Sequence, residues 1–188
     1  MKECNKEKYR FVYVAPILEY KNHEYVIYAF ERLRSLGYSN FSLRFVGELV
    51  PFSKKIIDFI TSIDPNGDFY EYVKPDGRDF VLDEINNSCF AIYASSCESF
   101  GITLVELMLM KIPILANDYA TTREILKDSG LYFSIKEADS LFMLIKSLLD
   151  EKLDMTCYTE KSYRYARAYT PKAMASSVFN LLNTFSHR

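Results

Sequence analysis

Short, almost wholly apolar runs alternate along the chain with longer stretches in which apolar residues recur at helical spacing. An apolar run without period-two alternation marks a strand buried on both faces, as in parallel sheets covered by helices. The first such run is Arg10-Phe-Val-Tyr-Val-Ala15. After a loop over 18–21, Tyr25, Ala29, Phe30 and Leu33 share one face of a predicted helix that stops at Gly37, a residue suited to the left-handed position after a helix. A second strand over 42–47 leads past Pro51 to a helix carrying Ile56, Ile57 and Ile60, closed by Asp64-Pro-Asn-Gly67.

The third strand is predicted over 69–73, followed by the Pro75-Asp-Gly77 turn and a short helix over 78–87. Cys89-Phe-Ala-Ile-Tyr-Ala94 is the fourth strand, and a loop over 95–101 enters a helix over 102–110. Pro113-Ile-Leu-Ala116 is the fifth, with a loop over 117–121 and a helix around 123–127; Leu131-Tyr-Phe-Ser134 is the sixth. Helices are expected over 138–149 and 171–185, the latter with Thr170 as N-cap and Pro171 at its first position. Six strand–helix units follow one another without a repeat or linker. The expectation is one domain over 1–188: α/β, a doubly wound, Rossmann-like parallel sheet of about six strands with helices on both faces.

Composition narrows the function classes. With 188 residues, 49% of them hydrophobic, the chain can bury a core without a disulfide or metal. Its 23 basic and 25 acidic residues lack the basic excess of a nucleic-acid binder, so no nucleic acid is expected as a partner. Four cysteines (Cys4, Cys89, Cys97, Cys157) without C-x-x-C, and two histidines (His23, His187), offer little for a zinc site. Reduced thiols are the expectation. Residues 1–10 are polar, unlike a signal peptide, and no apolar run reaches the ~20 residues of a bilayer span. These features point to a cytoplasmic protein.

Ligands of open parallel sheets bind at the C-terminal strand ends. The loops there are 16–21, 47–51, 73–77, 95–101 and 117–121. Loop 95–101 carries Glu98, Phe100 and Gly101 just before a helix that is apolar almost all round, and so buried. On that helix Thr103 and Glu106 share a face, and a carboxylate there must find a partner. Two partners stand open: a basic side chain from a neighbouring helix, or the hydroxyls of a ligand. Free backbone N–H groups at 101–103 would suit a phosphate. His23 reads as a packing or solvent-facing residue, and Cys97, with no histidine nearby, as an incidental thiol. Tyr158, Tyr163, Tyr165 and Tyr169 read as packing for a terminal helix, and 76–79 as a turn and helix cap.

Glu98-Ser-Phe-Gly-Ile-Thr-Leu-Val-Glu106 resembles the E-x(7)-E motif of the group 1, or family 4, retaining glycosyltransferases. Phe90-Ala-Ile-Tyr-Ala-Ser95 before it, Lys111-Ile-Pro-Ile-Leu-Ala-Asn-Asp118 after it, Glu124-Ile-Leu and Asp128-Ser-Gly-Leu131 fall in the family's order. So do Lys21-Asn-His and Phe45-Val-Gly-Glu48 upstream. The resemblance implies the C-terminal, donor-binding half of a GT-B fold, with an N-terminal acceptor domain not contained in this chain. By it, Glu106 holds the ribose of a nucleoside-diphosphate sugar, and Glu98 contacts the sugar at the catalytic centre. Backbone at Phe100, Gly101, Ile102 and Thr103 meets the distal phosphate, Lys21 offsets its charge, and Gly47 lies in the second-strand loop of the donor site. No cofactor and no metal are expected. A glycan or lipid-linked acceptor is implied, with any membrane contact made peripherally through the absent domain. The chain departs from the pattern at Ala15-Pro16, where the family has Gly-Arg, at Ala120-Thr121 in place of Gly-Gly, and at Glu48-Leu49, which lacks a second glycine. Two other readings stay open: a degenerate nucleotide- or partner-binding module without turnover, and a GT-B-type nucleotide-sugar epimerase.

Overall fold

The computed structural model describes residues 8–51, 53–151, 155–170, 172–173 and 175–176. Six strands, β1 (Tyr9–Val14), β2 (Phe41–Val46), β3 (Tyr70–Val73), β4 (Phe90–Tyr93), β5 (Ile114–Asn117) and β6 (Leu131–Phe133), form one sheet in the order β3-β2-β1-β4-β5-β6. All pairings are parallel, with Phe11 of β1 opposite Leu43 of β2 and Phe90 of β4. The helices are α1 (His23–Ser35), α2 (Ser53–Ile63), α3 (Gly77–Asn86), α4 (Ile102–Leu109), α5 (Ala120–Leu126), α6 (Ser140–Glu151) and α7 (Thr156–Ala166).

The unalternating strand runs are explained by two cores, one on each face. Phe11 and Tyr13 of β1 enter a core with Phe30 of α1, Ile56 of α2 and Ile145 of α6. Val12, between them, enters the other, with Ile85 of α3, Leu104 and Met108 of α4, Ile125 of α5 and Ala166 of α7. Aromatic packing orders the first core: the Phe11 ring stacks on Phe90 and meets Phe30 edge-on, each at 5.1 Å. The chain steps outward from β1 in one direction and from β4 in the other. A crevice therefore opens between the C-terminal ends of β1 and β4, where a doubly wound sheet takes its ligand.

The end of the sheet is tied back to its beginning. Arg32 of α1 pairs with Asp139 before α6 at 2.8 Å, and the Tyr38 hydroxyl meets Asp150 at 2.7 Å. The Tyr25 hydroxyl faces the carbonyls of Ser134 (3.1 Å) and Glu137 (2.8 Å) and accepts the Leu141 N–H at 3.2 Å.

The predicted strands and helices up to α6 are present with ends shifted by a few residues. Gly37 has φ +87° and donates to the Arg34 carbonyl, closing α1 as expected. Asp76 sits at the N-cap of α3 but makes no capping bond with its side chain. The tyrosine-rich tail contains a helix of its own, α7, packed on α4 and α5. Thr170 accepts the Ala173 N–H at 3.2 Å, the bond of an N-cap, while the rest of the helix predicted over 171–185 lies mostly outside the described residues. Cys97 and Cys157 are free, but Cys89 is disulfide-bonded, which corrects the expectation of reduced thiols throughout. Among the described residues no helix is long and apolar enough to cross a membrane.

Candidate functional site

Three loops meet at the mouth of the crevice, each held there by the backbone. After β1 the chain makes a single 3-10 turn (Glu19–Lys21) and then Asn22, in the left-handed conformation at φ 56°. The Asn22 side-chain amide donates back to the Tyr20 carbonyl (3.0 Å) and across the crevice to that of Ala94 (2.7 Å). Ser96 returns the tie, its N–H donating to the Tyr20 carbonyl at 2.9 Å. From the other side, buried Asn117 at the end of β5 donates to the Ser95 carbonyl at 3.0 Å, and Thr121 donates to the Glu98 carbonyl at 3.4 Å. Loop 95–101 is thereby fixed between the loops after β1 and β5.

That fixing brings Lys21 and Glu98, 77 positions apart, into a direct ion pair in which both side chains are mostly buried. The Tyr13 hydroxyl bonds the Lys21 carbonyl at 2.5 Å and sets the backbone beneath it. Burial alone would raise the Glu98 carboxyl, but polar contacts from Lys21 and Ser95, the Lys21 charge and Tyr93 outweigh it, so Glu98 lies below the ordinary glutamate range. Tyr93 beside it is raised, first by burial and then by the Glu98 charge.

Gly101 begins the next element with φ 81°, and a Cβ there would stand 2.7 Å from the Tyr93 hydroxyl. Glycine is required on both counts. Behind it, the first backbone bonds of α4 run from Leu104 and Val105 to the Gly101 carbonyl, leaving the N–H groups of Ile102 and Thr103 without a backbone acceptor and α4 without a side-chain cap. Ile102 is the most exposed large apolar residue described, at 68%. Phe100 turns away, its ring edge-on to Tyr169 at 5.6 Å.

Glu106 stands one turn further along α4 and pairs with Arg78 of α3 at 2.8 Å. Of the two partners left open by the sequence, the basic side chain of a neighbouring helix is the one present in the free chain. Gly47 lies at a different kind of contact: a Cβ on it would fall 2.1 Å from the Ala15 carbonyl oxygen, so its lack of a side chain lets the loops after β1 and β2 touch backbone to backbone. His23, the first residue of α1, is buried against Tyr13 (4.7 Å between ring centres) and Phe45 (5.3 Å) beside a depression of about 230 Å³. Neither ring nitrogen makes a hydrogen bond of normal geometry. Burial, and then the nearby Lys21 charge, lower its pKa to about 4, with only the Ala15 backbone favouring the proton.

The structure thus brings Lys21 and Glu98 together at the crevice, sets Gly101, Ile102, Thr103 and Glu106 on the helix that follows the Glu98 loop, and puts Phe100 and Gly47 in packing contacts. Asn22, Asn117, Tyr93 and Arg78 were missed as parts of this site. Arg78 carries one signal in the sequence, a cation in the first turn of a helix, where the helix dipole disfavours it. Among the described residues no group of three or more His, Cys, Asp or Glu side chains is placed to hold a metal ion.

With this geometry in hand, comparison with known proteins defines the class. The model of the group 1 glycosyl transferases matches residues 2–170, so the chain belongs to that family. Its fold is the Rossmann-like half expected of a GT-B glycosyltransferase. A crystal structure of Alr3699/HepE from Anabaena in complex with UDP and glucose superimposes on 95% of this chain with a TM-score of 0.78 at 13% identity. This chain spans 49% of the length of that one. A search of curated proteins finds no match.

Proposed function

We propose that this chain is the donor-binding half of a retaining glycosyltransferase, which transfers a sugar from a nucleoside-diphosphate sugar to a glycan or lipid-linked acceptor held by a separate N-terminal domain. The observation that carries the proposal is the Lys21–Glu98 pair joining the loops after β1 and β4, next to the uncapped N-terminal turn of α4 that carries Glu106. In this reading Glu106 accepts bonds from the ribose, the unsatisfied N–H groups of Ile102 and Thr103 face the distal phosphate, and Lys21 and Glu98 meet the phosphate and the sugar. As the glycosidic bond breaks, the departing diphosphate gains negative charge. N–H donors and a cation fixed in advance then stabilise the transition state more than the ground state. No metal is invoked for that role. Complexed UDP and glucose in a chain of the same fold support the choice of ligand class.

One feature favours a second reading, a nucleotide-binding module without turnover. The cation of the site, Lys21, is already neutralised by Glu98, and Pro16 stands where the family pattern has an arginine.

Calorimetric titration with UDP, GDP, ADP and NAD tests the proposal. Saturable binding of one diphosphate is expected, weak at about 10⁻⁴ M because the contacts of a closing second domain are absent. Glu106→Ala should abolish it, whereas Glu98→Ala should leave the diphosphate and weaken only the intact nucleotide sugar. A folded chain that binds none of them, or both variants binding like the parent, would overturn the assignment.

A further inference from the structure

Among the cations that follow the strand ends, Lys21, Arg123 and Arg78 are held very differently. Lys21 is mostly buried, paired with Glu98 and set over the Tyr20 ring at 5.2 Å. Arg123 makes two bonds of 2.7 Å to Asp118 and stacks on Tyr132 at 3.5 Å. Arg78 meets Glu106 at 2.8 Å, and its side chain is 72% exposed. It also sits in the first turn of α3, against the helix dipole.

We propose that Arg78 is the exchangeable counter-ion of the bound diphosphate: it rests on Glu106 in the free protein and moves to the phosphates when the ribose takes Glu106. This rests on the donor-site reading above. Two neighbouring ribose hydroxyls engage both oxygens of one carboxylate, and one of those oxygens belongs to Arg78 in the free chain. Thr103 and Glu106 are separated by ~4.5 Å along the axis of α4, so a guanidinium released from Glu106 needs only a change of rotamer to meet a phosphate at the first turn. Planar, many-donor guanidinium is well matched to such an anion. The exchange leaves both groups with hydrogen-bonding partners. Glu106 passes from a cation to two hydroxyl donors, and the cation passes to the ligand that brought the extra negative charge.

The test is calorimetry on Arg78→Gln and Arg78→Lys, with UDP, GDP, ADP and the matching nucleosides, at low and at high salt. Arg78→Gln should weaken the diphosphate about tenfold or more, flatten its salt dependence, and leave the nucleoside bound as well as before or better. Arg78→Lys should recover most of the loss. Equal weakening of nucleoside and diphosphate would show that Arg78 merely orients Glu106, and unchanged diphosphate affinity would show no contact; either overturns the exchange. An equal loss in Lys74→Gln, which removes a neighbouring exposed cation, would also overturn it, as a general effect of charge. An unmutated, folded chain that binds no nucleoside diphosphate defeats the donor-site reading itself, and the Arg78 assignment falls with it.

Discussion

At the scale of the residue, the sealed imidazole of His23 couples stability to pH. An unfolded chain titrates it near 6.5, while the folded chain resists protonation until about 4. Between those values the unfolded state binds a proton that the folded state refuses, so this contribution is complete above 6.5, declines as the pH falls, and is gone below about 4. The difference is on the order of 3 kcal/mol. Urea unfolding from pH 7 to pH 4.5 should show His23→Phe losing less stability than the parent by that order; parallel curves would refute the coupling. Glu98 is shifted in the same direction: against the effect of burial, its contacts with Lys21, Ser95 and Tyr93 hold the carboxyl below the ordinary glutamate range.

At the scale of the element, the loops after β1 and β2 behave as one piece because Gly47 has no side chain. A Cβ there meets the backbone of Ala15, which cannot rotate away as a side chain would. Gly47→Ala should therefore cost about 3 kcal/mol in chemical denaturation, the range of a forced overpacking. By comparison, Gly37, whose φ is +87° but whose Cβ would meet nothing within 4 Å, should cost about 1 kcal/mol on the same change. Near-equal losses at the two glycines would refute the contact argument. Most elements were legible in the sequence because parallel strands buried on both faces leave unalternating apolar runs, and α1 to α6 carry large apolar side chains at helical spacing. Helix α7 was not, because its buried positions are Thr159, Ser162 and Ala166, which barely register as a hydrophobic stripe. The site divides in the same way. Glu98, Gly101 and Glu106 lie within nine consecutive residues and were legible together. The Lys21–Glu98 pair and the Arg78–Glu106 pair depend on which elements cross which face, and no local spacing carries that information. Asn22 and Asn117 were silent for a simpler reason: each acts chiefly on backbone groups, which every residue has.

At the scale of the whole molecule, the sheet is closed not by its last strand but by α6 returning to α1. Tyr25 is the hub, its one hydroxyl serving the Ser134 and Glu137 carbonyls and the Leu141 N–H. Tyr25→Phe leaves these groups without it and should lower stability by about 1–2 kcal/mol. Hydrogen exchange at the Leu141 amide should quicken more than at the amides of β1, whereas uniform quickening would mean that the hydroxyl matters only to global stability.

The same return has a consequence for the growing chain. Arg32 and Asp139, which meet across the α1–α6 contact, are 107 positions apart. A ribosome adding about 5–20 residues per second needs some seconds to a few tens of seconds to travel that distance. For all of that time the flank of α1 that will receive Leu141 and Ile145 has been made but has nothing to cover it. The nascent chain carries this apolar surface uncovered until a helix made some hundred residues later arrives, and that interval is when a holding chaperone would find it.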